Sequence, residues 1–322
     1  MKNYRMFTVL TFCLALFTAC STAKVTPNPP VLQVTPPLDM QMVEGKLINQ
    51  VGRLENAMPR ASSEGFVVPT DAEKNFFSNI VTSMRSNDLG TAMTDANSNG
   101  YELLWYTDLN DDNAVSYVLR EVVPSKRGWG LYVFRAATNS HVIIEAPHPL
   151  FDEGTPALSV KIYRALEARA LLIAGAHRDA NRDGSADVSH DPQSIFQAIH
   201  DEELKQSIAL TGSAIILQIH GFSAAKHPAY PHVIISYEHG KDINPIDLVK
   251  GQQLASGMAK KLNDKGIKTS TCGTGEWRDL CGGFNVQASQ LTRGIFIHIE
   301  LDETVRSDDA KFIEALMTAL GN

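Results

Sequence analysis

From residue 158 onward the chain switches repeatedly between two periodicities, and this alternation limits its fold more than any other feature. Apolar runs of strand length at 170–175, 213–219, 232–236 and 294–300 are interleaved with longer amphipathic segments at 158–169, 192–206, 248–264 and 307–320. Strands joined through helices pair largely in parallel and are covered on both faces. The expected fold class is therefore α/β, a mixed, mostly parallel central sheet with helices on both faces. Upstream, 101–106, 115–122, 131–136 and 141–146 read as further strands, separated by polar turns at 108–113 and 125–128. Thr70-Asp-Ala-Glu73 has the spacing of a capping box, which predicts a helix over 71–85; residues 41–60 also read as helix. Residues 101–322 are expected to form the main domain, with 41–100 as an N-terminal helical extension. No internal repeat is visible.

Composition narrows the function classes. With 43% hydrophobic and 20% charged residues, the chain is neither disordered, collagenous nor a coiled coil. A net charge of −7 with no Lys/Arg-rich block argues against nucleic acid as a partner. At the N-terminus, Lys2 and Arg5 precede an apolar stretch at 6–17. That stretch is too short for a helix to cross a hydrocarbon core of about 30 Å. It ends in Phe17-Thr-Ala-Cys20, which resembles the lipobox of bacterial lipoproteins. The resemblance implies removal of a signal peptide (1–19), acylation of Cys20 (palmitate among the acyl groups), and a cell-envelope location with membrane contact through the lipid alone. Ser21 in place of Asp implies an outer-membrane lipoprotein facing the periplasm. Five prolines between residues 27 and 37 make 20–40 an extended tether. Of the cysteines left in such a product, Cys272 and Cys281 are expected to form a disulfide, since a metal pair would want shorter spacing.

Residues with chemistry gather where strands end. In the first such place, the strand 141–146 runs into Pro147-His148-Pro149-Leu-Phe-Asp152-Glu153. The flanking prolines disfavour helix at His148, so the imidazole and its carboxylates are expected to meet across a stiff loop. One imidazole and two carboxylates on such a loop suit a divalent metal. The second is the strand 213–219, which ends in His220-Gly221. In the third, on 294–300, Phe296, His298 and Glu300 share one face. A carboxylate inside an apolar strand is costly unless paired or employed. Glu300 thus reads as an ion-pair member, with Arg306, or as a general base, with Glu303 as the nearby alternative. The fourth is His177-Arg178-Asp179-Ala-Asn181-Arg-Asp183-Gly184, followed by Asp187 and His190. Arg178 could grip a substrate carboxylate or an oxyanion. Asp179, Asn181 and Asp183 also have the opening of a calcium loop, but His190 stands where its closing Glu belongs.

A histidine with a carboxylate after a strand, an Arg/Asn loop, a strand ending in His and a late strand carrying Glu together resemble the zinc carboxypeptidase-like and N-formylglutamate amidohydrolase-like superfamily. Metallocarboxypeptidases, succinylglutamate desuccinylases and poly-γ-glutamate hydrolases share that order, which here covers roughly 140–305. The resemblance implies a phosphorylase/hydrolase-like, zinc-peptidase-like sheet and one zinc ion. It implies His148 and His220 as ligands, Glu300 as the catalytic glutamate, and Arg178 and Asn181 on the substrate. His190 and His298 would support the ligands from behind. Where carboxypeptidases carry their ligand Glu stands Phe151, so Asp152 and Glu153 both remain candidates. The spacing is closer to that of poly-γ-glutamate hydrolases, and His148-x-x-x-Asp152-x-Gly154 also echoes zinc N-acetylmuramoyl-L-alanine amidases. The expected activity is metal-assisted hydrolysis of an amide in a small peptide, an N-acyl amino acid or a cell-wall fragment. The alternative is a non-catalytic envelope lipoprotein that binds such peptides or fragments.

Overall fold

The computed structural model describes residues 35–124, 126–272 and 278–321. The expected signal peptide (1–19), Cys20 and most of the expected tether lie outside them. The strands are β1 (Met42–Gly45), β2 (Tyr101–Asp108), β3 (Ala114–Glu121), β4 (Leu131–Arg135), β5 (Val142–Ala146), β6 (Ala170–Ile173), β7 (Ile215–Gly221), β8 (Val233–Glu238), β9 (Thr269–Thr271) and β10 (Ile295–Leu301). They form one ten-stranded sheet in the order β1-β2-β3-β4-β6-β5-β7-β10-β8-β9. Five of the nine pairings are parallel, including the central run β6-β5-β7-β10. The mixed, mostly parallel sheet is thus the one expected.

Helices cover both faces. On one side α1 (Leu47–Ala57), α4 (Thr155–Ala165), α6 (Pro245–Asp264) and α9 (Ala310–Leu320) bury Val51, Ile162, Met258 and Phe312 against Ile144, Leu217 and Ile297. On the other, α2 (Asp71–Arg85), α3 (Leu89–Ser98) and α5 (Ile195–Thr211) bury Phe77, Ala92 and Ile199 against Ile143, Ile216 and Phe296. Helix α2 starts on the expected capping box: Thr70 Oγ1 accepts from Glu73 N at 3.2 Å, and Glu73 Oε2 accepts from Thr70 N at 2.8 Å.

Some expectations fail locally. Residues 41–60 open with a strand, not a helix. Met42–Gly45 alternates exposed with half-buried residues and lies parallel to β2 at the sheet edge. Gly45 permits this approach, because a Cβ there would sit 2.8 Å from the Tyr106 hydroxyl. Helix α3 carried too weak an apolar stripe to be expected; the Asp88 side chain caps it. The helix expected over 307–320 is α9, and two short helices that were not expected precede it, α7 (Val286–Ser289) and α8 (Glu303–Ser307), the latter capped by Asp302. Among the described residues no helix is long and apolar enough to cross a membrane.

Candidate metal centre

Strands β5, β7 and β10 are adjacent and parallel, so their carboxyl ends open on the same side of the sheet, where α/β proteins gather ligands. His220 and Glu300 face each other in register on β7 and β10. His148 follows β5. Its carbonyl accepts from Asp152 N at 2.8 Å, so the loop expected here closes as a single helical turn over 148–152. Pro149 permits this because a missing N–H has no consequence in the first turn. The turn swings Asp152 inward, to 3% exposure, while Glu153 stays exposed at the cavity mouth. Asp152, not Glu153, is therefore the carboxylate that meets the histidines.

Asp152 Oδ2 lies 3.4 Å from His148 Nδ1 and 3.2 Å from His220 Nδ1. The imidazole centroids are 4.8 Å apart. Each outer nitrogen is engaged. His148 Nε2 bonds Asp187 Oδ1 and Ser189 Oγ, both at 2.9 Å, and His220 Nε2 bonds Gln218 Oε1 at 2.8 Å. With the protons on Nε2, both Nδ1 lone pairs point at one carboxylate oxygen, an arrangement that needs a proton or a cation between them. His148 Nδ1 is buried and makes no directed hydrogen bond. Two imidazole nitrogens and one carboxylate oxygen, all within 4.8 Å of one another, are a donor set for zinc or a similar divalent ion, and these residues fit one. Engagement of each outer nitrogen is also what metal-binding histidines require.

Electrostatics follow the same contacts. Burial opposes a charged His148, yet the Asp152 and Asp187 carboxylates prevail and hold it at about 9. Burial raises Asp152 and Asp187, but the imidazoles prevail and keep both below the usual carboxylate range. Burial foremost lowers His220, and burial with the neighbouring His220 lowers His298 strongly. Glu300 is pushed well above the carboxylate range by burial first and by Asp152 second. Its Oε2 is buried without a partner and its Oε1 is 3.8 Å from His298 Nε2. The ion pair with Arg306 is not formed, because that guanidinium is occupied by the carbonyls of Glu153, Phe222 and Leu301. Glu303, exposed on the cavity wall, accepts from Ala224 N at 2.9 Å.

These groups line a cavity of about 530 Å³ that also takes in Phe151, Arg178, Lys226 and His227. Arg178 borders the cavity, held by Asp187 Oδ2 at 2.5 Å and stacked over Phe151. His190 supports Asp187 from the half-exposed rim, its Nδ1 2.9 Å from Oδ2, and does not stand behind a ligand. Asn181 corrects the substrate-binding expectation. It is absent from the cavity wall; its carboxamide accepts from Phe66 N and donates to Phe66 O and Ser185 Oγ, which straps residues near 66 onto the Arg178 loop. Asp183 likewise accepts from Ser185 N and Oγ, so the calcium-loop pattern serves a turn.

His298 stacks on His220 at 4.4 Å between centroids. The backbone of Gly282 lies against its other side: a Cβ there would come within 2.8 Å of the ring, and φ is +65°. Just before Gly282, the Cys272–Cys281 disulfide is formed as expected. Glu145, Gln218, Ser189 and Asn285 were not singled out in the sequence. The signal was present for the first two, which are polar residues inside apolar strands like Glu300.

Neither a protein-family model nor a curated protein matches the chain. Several solved structures are similar to it. N-formylglutamate amidohydrolase from Ralstonia eutropha JMP134 is 11% identical with a TM-score of 0.36, over 56% of this chain and 94% of that one. A bacteriophage poly-γ-glutamate hydrolase is 12% identical with a TM-score of 0.33, over 57% and 84%. A metallo-carboxypeptidase from Pseudomonas aeruginosa is 16% identical with a TM-score of 0.34, over 72% and 68%. These belong to the groups of proteins that the order of motifs in the sequence resembles.

Proposed function

We propose that this protein is a zinc-dependent hydrolase that cleaves an amide bond in a small peptide, an N-acyl amino acid or a cell-wall fragment. One observation carries the reading. Two histidines with tied outer nitrogens aim their Nδ1 atoms at a single buried carboxylate oxygen, on the floor of a cavity that also holds an unpartnered carboxyl oxygen of Glu300. His148, Asp152 and His220 would hold the ion. When bound, a divalent ion there polarises a carbonyl and makes water a nucleophile near neutral pH.

The chain supplies the rest. Glu300 has the raised proton affinity and the free oxygen of a group that takes a proton from attacking water and passes it to the leaving nitrogen. Arg178, fixed by Asp187, offers positive charge at the cavity wall to a substrate carboxylate or a developing oxyanion. Asp187, Ser189 and Gln218 keep the histidine rings oriented. The same reading places the protein in the cell envelope, anchored through an acylated Cys20, and the Cys272–Cys281 disulfide suits such an oxidising compartment.

The test is a panel of N-acyl amino acids, γ-glutamyl peptides and muropeptides offered to purified protein loaded with Zn²⁺. Amine release is expected from at least one of them. Chelator and His220→Ala should each abolish it. A zinc-loaded protein inert toward the whole panel would refute the hydrolase reading.

A further inference from the structure

One residue row behind His220 and Glu300, the same strands carry a second set of polar side chains. Glu145 on β5, Gln218 on β7 and His298 on β10 are in register, and Ser236 on β8 continues the row. Glu145 and Gln218 are 0% exposed. The Glu145 carboxylate is closed between two partners: Oε1 lies 2.6 Å from His200 Nδ1, and Oε2 accepts from Gln218 Nε2 at 2.9 Å.

A carboxylate of this kind only accepts. It therefore decides which end of the Gln218 amide faces it. Gln287 agrees with that choice, its Oε1 lying 3.3 Å from the same Nε2 while its own Nε2 donates to the Val188 carbonyl at 2.8 Å. Gln218 Oε1 is left facing His220 Nε2 and Asn285 Nδ2. An amide oxygen cannot donate, so His220 carries its proton on Nε2 and keeps the Nδ1 lone pair toward Asp152. His148 is oriented by a carboxylate directly, through Asp187; for His220 the carboxylate stands one residue further back.

We infer that Glu145, braced by His200, is a positioning residue that sets the tautomer of His220 through Gln218 and so makes Nδ1 the cation-binding atom of that ring. The inference rests on the metal-centre reading for its consequence, but the tautomer itself can be measured without metal. In ¹⁵N-labelled, metal-free protein, long-range ¹H–¹⁵N correlations should show His220 protonated on Nε2. Glu145→Met, which removes the acceptor, should shift His220 toward the Nδ1-protonated form and weaken Zn²⁺ binding by about 10–100-fold, measured by competition with a chromophoric chelator. Gln218→Met should do the same while sparing the Glu145–His200 pair. Glu145→Gln, whose amide can present either its acceptor or its donor end to Gln218, should fall between wild type and Glu145→Met.

A wild-type His220 protonated on Nδ1 overturns the inference, whatever the variants do. So does a folded Glu145→Met protein with the wild-type tautomer and wild-type Zn²⁺ affinity. Wild-type protein with the Nε2 proton but no affinity for Zn²⁺ would sink the metal-centre reading and leave the positioning claim standing.

Discussion

The three central strands show different chemistry on their two faces. Toward α4, α6 and α9 they present Ile144, Leu217, Ile219, Ile297 and Ile299, every one 0% exposed and none polar. Toward α5 they start in the same way, with Ile143, Ile216 and Phe296. From there the alternate positions turn polar: Glu145, Gln218 and His298 in one row, His220 and Glu300 in the next. The aliphatic face gains its stability from burial and close packing alone. The polar half-face is tolerated in the interior because its donors and acceptors are mostly closed on each other. The atoms left open, His148 Nδ1, His298 Nδ1 and Glu300 Oε2, cluster at the cavity. Stability and chemistry are thus carried by opposite sides of the same strands.

Substitutions on the two faces should therefore fail in different ways. Glu300→Gln is expected to keep zinc bound and lower turnover by about 10²–10⁴-fold, the usual contribution of a positioned proton acceptor; full activity would remove Glu300 from the reaction. Leu217→Ala, on the aliphatic face, should cost about 2–5 kcal/mol of unfolding free energy in denaturant titrations. The Zn²⁺ affinity of the folded protein should be unchanged, and a parallel loss of affinity would blur the division between faces. Asp187→Asn, which weakens the support behind His148 Nε2, should reduce Zn²⁺ affinity by about 10–100-fold with little change in stability.

The remaining prediction is a pH dependence. His148 is raised from its ordinary value to about 9 in the folded, metal-free protein. A raised value means that the proton's contribution to stability is complete below about 6.5 and is lost as pH rises through about 9. The thermal midpoint of metal-free protein should fall across that interval. Zn²⁺, which displaces the proton, should bind more tightly across it, by up to about tenfold per pH unit. Flat profiles for both would mean that no proton sits between His148 and Asp152.

What the sequence revealed follows the same division. His148, His220 and Glu300 were legible because each stands at the end of an apolar strand, and strand ends are local features. The choice between Asp152 and Glu153 was not legible. It depends on a single helical turn after Pro149 that places one side chain inside and its neighbour outside. Asn181 was given a substrate role only through the resemblance of its Arg/Asn loop, while the partner it meets in the structure, Phe66, is 115 residues away. Glu145 and Gln218 were readable by the argument applied to Glu300, a polar group in an apolar strand. Their meaning, however, comes from the pairing of strands 73 residues apart. Helix α2 was fully legible because a capping box needs only four adjacent residues.

The most direct test is anomalous diffraction at the zinc edge from crystals grown with Zn²⁺. The account predicts one strong peak about 2.0–2.2 Å from His148 Nδ1, His220 Nδ1 and a carboxylate oxygen of Asp152. Ordered crystals with no peak there, or with zinc bound through Nε2 of either histidine, would contradict it.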